Sequence, residues 1–264
     1  VTLNHGDCDY WINHGNSDYW IVKLSSTGTI VWQKSLGGTG DDVANSIKQT
    51  NDGGYIVAGY SYSNDGDVTG HHGTTSYADC WIVKLTSAGT ITWQKSLGGD
   101  EWDKASSIQQ TSDGGYIVAG DSFSTNGNVT GNHGLTDYWI VKLTSTGTIV
   151  WQKSFGGLYG EYARSIQQTA DGGYIVSGSG DSLDGDVIGN HGLSDYWIVK
   201  ISSTGLLEWQ KSLGGSKYDI CYSIQQTNDG GYIVTGDSAS TNGDVTGNNG
   251  NNDYWIVKLT STGS

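Results

Sequence analysis

Apolar residues fall in short runs separated by Gly-rich turns, and nothing in the chain sustains a 3.6-residue period, so the pattern predicts strands and no helix. In the run DYWIVKL, Trp139, Val141 and Leu143 point one way while Tyr138, Ile140 and Lys142 point the other, and both sets are mostly apolar. A lone antiparallel sheet would have one wet face. Apolar residues on both faces call for a sheet sandwiched between two others. Three further runs accompany this one: SIQQT (107–111), YIVAG (116–120) and TIVWQKS (148–154). The turn SDGG joins the first two into a tight hairpin, and STG joins DYWIVKL to TIVWQKS. We label them A (SIQQT), B (YIVAG), C (DYWIVKL) and D (TIVWQKS).

The four-strand unit repeats. Its C-strand tryptophan recurs at Trp20, Trp81, Trp139, Trp197 and Trp255, at intervals of 61, 58, 58 and 58 residues, and WQKS and DGGYIV recur in the same frame. Units of this length built from short strands predict an all-β fold, a β-propeller of four-stranded antiparallel blades, about four to five in number, forming one domain over residues 1–264. A is expected innermost and D outermost. The strand count is uneven: C-D, three times A-B-C-D, then A-B-C. This predicts incomplete closure or a longer array, with a fourth blade closing if the N-terminal D strand pairs with the C-terminal A-B-C, or with a spare edge open to another molecule. The N-terminus also carries a nine-residue tandem copy, NHGDCDYWI then NHGNSDYWI, for which we have no physical account.

Composition narrows the setting. A net charge of −14 with 13 basic residues argues against nucleic-acid or anionic-membrane partners. Nine of those basic residues are repeated strand lysines of the scaffold. No run of about 18 apolar residues marks a membrane span. The absence of Met points to a mature form after signal cleavage or an excised piece. Cys8, Cys80 and Cys221 have no metal-ligand spacing; Cys80 and Cys221 read as buried small hydrophobes.

The run DGGYIVAGDS, DVTGNHG, DYWIVKL and STGTIVWQKSLGG resembles the repeat of secreted bacterial and archaeal β-propeller proteins of the SBBP type and, more distantly, the quinoprotein-type blade. The resemblance spans essentially the whole chain and implies the fold and a secreted or cell-surface location. It implies no reaction, and no quinone pocket is marked out.

Strand alternation puts the tight A-B and C-D turns on one rim and the long B-C and D-A loops on the other, where binding is expected. The D-A loops GGTGDDVAN, GGDEWDKAS, GGLYGEYAR and GGSKYDICY differ while the strands hardly change. They carry non-repeating aromatics, Trp102, Tyr159, Tyr162 and Tyr218, with Tyr62 in a B-C loop, beside Asp103, Glu161 and Asp219. Aromatic rings next to carboxylates suit an extracellular glycan or protein ligand. Asp42, Asp103, Glu161 and Asp219 form one repeated set, expected either to approach the axis as a cation site or to bond loop N–H groups. The B-C loops alternate Asp and Asn around Gly, with Asp65, Asp67, Asp184, Asp186 and Asp244 among them. These and Asp42 are candidate calcium ligands, although turn formation explains them equally and no cofactor is required. His14, His72, His133 and His191 read as loop braces. The leading expectation is a non-enzymatic binding or adhesion module. The alternatives are a cell-surface polymer joined through unpaired edges and a glycan-active enzyme using Glu161 and Asp103.

Overall fold

The computed structural model describes residues 17–264; Cys8, His14 and the tandem copy up to residue 16 lie outside them, and residues 17–21 of the second copy are described. Strands β1 (Tyr19–Leu24) and β2 (Ile30–Leu36) form a two-stranded sheet. Three four-stranded sheets follow: β3 (Asp42–Gln49), β4 (Tyr55–Ser61), β5 (Asp79–Leu85) and β6 (Ile91–Leu97); β7 (Asp103–Gln110), β8 (Tyr116–Ser122), β9 (Asp137–Leu143) and β10 (Ile149–Phe155); and β11 (Glu161–Gln168), β12 (Tyr174–Gly180), β13 (Asp195–Ile201) and β14 (Leu207–Leu213). A three-stranded sheet, β15 (Asp219–Gln226), β16 (Tyr232–Ser238) and β17 (Asp253–Leu259), completes the series. All the pairings within these sheets are antiparallel. The architecture is an incomplete β-propeller. Closure through β2 does not occur, because β2 pairs with β1.

The four A strands, β3, β7, β11 and β15, line an axial cavity of about 660 Å³ near the tight turns. They are tied sideways: the Ser46, Ser107 and Ser165 hydroxyls accept the Ile108, Ile166 and Ile224 N–H of the next sheet at 3.3 to 3.4 Å. Farther out, sheets meet through C-strand faces, each burying a tryptophan (Trp81, Trp139 or Trp197) against the preceding sheet. This is why DYWIVKL is apolar on both sides.

The A strands are longer than SIQQT. Each begins at the repeated carboxylate and crosses a bulge, between Ala105 and Ser107 in β7, before the predicted segment starts. Opposite the bulge the B strand must be glycine: a Cβ on Gly120 would overlap the Lys104 carbonyl oxygen, and Gly59, Gly178 and Gly236 face the same obstruction. Backbone cannot yield as a flexible side chain can. Gly120→Ala is therefore expected to lose about 1 to 3 kcal/mol in urea unfolding, whereas Ala at Gly250, which has open space around it, should be nearly neutral.

Candidate functional site

The long-loop rim has two layers, one buried and one exposed. In the buried layer, Asp42, Asp103, Glu161 and Asp219 are each inaccessible to solvent. The Asp103 carboxylate accepts from the Gly99 N–H at 2.7 Å and the Ser124 hydroxyl at 2.7 Å, and also from the Ser122 hydroxyl. Asp219 repeats this with Gly215, Ser240 and Ser238, and Asp42 with Gly38 and Ser63. Glu161 accepts from the Gly157 and Ser182 N–H groups at 2.8 and 3.0 Å. Its extra methylene is accommodated because Gly180 stands where the other units have Ser61, Ser122 or Ser238. The expectation that these four meet at the axis is corrected: each is locked inside its own sheet by strand and loop donors. Asp103, Glu161 and Asp219 are thus removed from the ligand surface. Asp103 and Glu161 are also not brought together as an acid and nucleophile; the carboxylate acting on Asp103 is Asp79, and on Glu161 it is Asp137.

Burial dominates the electrostatics of this layer. It pushes the Asp103 carboxyl up to about 6 against its hydrogen bonds, with the neighbouring Asp79 charge adding to the rise. Asp42, Asp79, Asp137, Glu161 and Asp195 are raised for the same first reason. The imidazole Nδ1 atoms of His72, His133 and His191 lie 2.7 to 2.8 Å from Asp79, Asp137 and Asp195, so these histidines brace the loops.

The Asp and Asn residues of the B-C loops stitch those loops to the D-A loops. Asp65 accepts the Thr39 N–H at 2.7 Å and Asp184 the Leu158 N–H at 2.8 Å. Asp67, Asp186 and Asp244 accept from Gly37, Gly156 and Gly214 at 3.3 Å. Asn126 and Asn242 make the equivalent bonds to Asp100 and Ser216 at 3.0 and 2.9 Å. A neutral amide oxygen does the same job as a carboxylate here, so an N–H acceptor is what the position demands. Among the described residues no group of three or more His, Cys, Asp or Glu side chains could hold a metal ion. Cys80 and Cys221 are free and buried.

The exposed layer is aromatic and differs from sheet to sheet. Trp102 is 37 % exposed and lies edge-on to Tyr77, with centroids 4.9 Å apart, and to Phe123 at 5.6 Å. Burial pushes the Tyr62 hydroxyl up, and the neighbouring Trp102 side chain opposes that rise. Tyr62 also meets Tyr60 edge-on at 6.1 Å, and the Lys104 ammonium sits 4.7 Å above the Tyr60 ring. Tyr159 and Tyr218 stand apart from this cluster, 52 % and 54 % exposed. Tyr162 lies in β11, half-buried, instead of in a loop. Sequence reasoning missed Tyr77 and Phe123. The signal for Phe123 was present, because its position, one residue before Ser63, Ser124, Ser182 and Ser240 in successive units, reads Tyr62, Phe123, Asp181 and Ala239.

Backbone bonds between neighbouring sheets hold this crest. The Asp42, Asp103, Glu161 and Asp219 N–H groups donate to the Ser17, Ala78, Thr136 and Ser194 carbonyls at 2.5 to 2.7 Å. Each D-A loop is thereby fixed to the loop of the preceding sheet, and the aromatics it carries are presented on a rigid base.

No protein-family model and no curated protein matches the chain. Among solved structures, a protein of unknown function from Bacteroides caccae is similar over 92 % of this chain and 87 % of its own, at 13 % identity and a TM-score of 0.39.

Proposed function

We propose that the chain is an extracellular, non-enzymatic binding module that takes a glycan on the long-loop rim. The observation that carries this reading is the crest of Tyr62, Tyr77, Trp102 and Phe123, drawn from two sheets, with Tyr159 and Tyr218 farther along. These rings break the repeat where the scaffold has no need of them, and partly exposed aromatics on a rigid base suit stacking against sugar rings. The surrounding acidity favours a neutral saccharide over an anionic one. An extracellular protein partner is the second reading, favoured by Leu135, Leu158 and Leu193, which are exposed along the same rim. The buried carboxylates serve as supports beneath the crest, and calcium enters this reading nowhere.

The test is a screen of neutral and acidic oligosaccharides, followed by titration of any hit against Trp102→Ala and Tyr218→Ala. Binding is expected to weaken by about 1 to 3 kcal/mol in each variant, with the thermal transition of Tyr218→Ala unchanged. Undiminished binding in both variants would remove the crest from the site. A screen without hits, together with capture of a defined extracellular protein that Trp102→Ala abolishes, would favour the second reading.

A further inference from the structure

A repeated set of side-chain bonds ties each A strand to the next, and between β3 and β7 one member of the set is replaced. The serine tie is present at every junction from β3 to β15. A second tie runs backward: the Gln110, Gln168 and Gln226 amide oxygens accept the Asn51, Ser112 and Ala170 N–H of the preceding sheet at 2.8 to 2.9 Å. A third runs forward, with the Gln109 and Gln167 amide oxygens accepting the Gln168 and Gln226 N–H at 2.9 and 2.7 Å. The repeat places Lys48 where Gln109 and Gln167 stand. An ammonium has three donors and no acceptor, so Lys48 cannot bind the Gln110 N–H in this way. Both strands belong to complete four-stranded sheets.

The exchange alters what the wall of the axial cavity offers. Lys48, Gln109, Gln110 and Gln167 all line it. Because the Gln109 and Gln167 oxygens are committed to backbone N–H groups, these side chains have only their amide N–H donors left to give. No Asp or Glu lines the cavity, in a chain where acidic residues outnumber basic ones by 27 to 13. Lys84, Lys142, Lys200 and Lys258 each hold an aspartate at 2.9 to 3.0 Å, whereas among the described residues Lys48 has no ion-pair partner. The result is one positive charge beside a backbone donor, in a wall otherwise built of amides and hydroxyls.

We propose that this end of the axial cavity binds a small monoanionic carboxylate that carries hydroxyl groups, the chemistry of a sugar acid. The carboxylate takes the Lys48 ammonium and the Gln110 N–H, a charge-assisted pair that a glutamine at position 48 could not supply. Hydroxyl groups suit the amide donors of Gln109 and Gln167. One lysine matches one negative charge, and the net charge of −14 works against a polyanion. A volume of about 660 Å³ has room for such a ligand. The site lies near the tight turns, on the rim opposite the aromatic crest, and stands or falls separately from the ligand reading there.

Amide-resolved NMR titration with glucuronate tests it, with glucose as the neutral control and Lys48→Gln and Trp102→Ala as variants. Saturable shifts are expected at the Gln109 and Gln110 amides of the wild-type chain, and none there from glucose. Lys48→Gln restores the forward tie, so it should melt no lower than wild type. Its affinity for glucuronate should nevertheless fall about tenfold or more, as for loss of a charged hydrogen bond. Trp102→Ala should bind glucuronate as wild type does. The absence of a saturable shift at Gln110, an equal response to glucose, or undiminished binding by Lys48→Gln would overturn the proposal. Loss of glucuronate binding in Trp102→Ala with retention in Lys48→Gln would overturn it too, by placing the anion on the crest.

Discussion

Replacing Trp139 with Ala is expected to lower unfolding free energy by about 3 to 5 kcal/mol, the range for truncating a large core aromatic. Trp139 is 2 % exposed and packs in one cluster with Ile56, Ala58, Cys80 and Ile82 of the preceding sheet and Val141 and Leu143 of its own strand. Its indole N–H also donates to Gln152 at 2.9 Å, so truncation opens a cavity between two sheets and removes a bond to the D strand. Trp20 occupies the same place in its repeat but is 67 % exposed. Trp20→Ala should therefore change stability by no more than about 0.5 kcal/mol, as for surface substitutions. Urea unfolding of the two variants in parallel measures this. Equal losses would mean that the tryptophans stabilise their own sheets and not the junctions.

Stability is expected to rise as pH falls from 8 towards 5. Asp42, Asp79, Asp103, Asp137, Glu161 and Asp195 all have carboxyls raised by burial. Between the unfolded value and the raised folded value, the native state holds protons that the unfolded chain has released, so acidification through that window favours folding. For a carboxyl moved from 3.8 to about 6, as in Asp103, the effect across the window is on the order of 3 kcal/mol. The opposite sign governs the turn residues Asp52, Asp113 and Asp229. Their carboxyls are lowered first by the Thr50, Thr111 and Thr227 hydroxyls and then by Lys84, Lys142 and Lys258, Asp113 to about 2. What they contribute is present above the unfolded value and lost as pH falls towards 2. A thermal-melt series should therefore peak on the acid side of neutrality and drop steeply below about pH 4. Asp103→Asn should flatten the limb above the peak, because one raised carboxyl no longer titrates. A melting temperature that falls steadily from pH 8 to 5 would contradict the burial of these acids.

Strand identity was legible in this sequence to an unusual degree, because the two-faced apolar pattern of DYWIVKL reports a sandwiched sheet and the repeat multiplies the signal. The unmatched C-D and A-B-C ends were legible by counting strands. The start of the A strands was not. Residues 103–106 vary and look like loop, yet the bulge and the glycine opposite it carry the pairing outward to Asp103. That misplacement put Asp103, Glu161 and Asp219 on the surface when they are supports beneath it. The pairing of Glu161 with Gly180, in the one unit lacking the corresponding serine, was visible in the sequence and marks a size exchange in a packed site. Trp102, Tyr159 and Tyr218 emerge on the rim because no repeated position demands an aromatic there. The gathering of Tyr62, Tyr77 and Phe123 around Trp102 depends on contacts between two sheets, which strand patterns do not encode.

The proposed role of the long-loop rim is tested most directly by hydrogen-exchange footprinting of the chain with and without its ligand. Protection is expected in 100–104, 158–162 and 216–219 and in the loop containing Tyr77, with the A-B and C-D turns unchanged. Protection confined to those tight turns and the Gln-lined mouth of the axial cavity would place the ligand on the opposite rim and contradict the assignment.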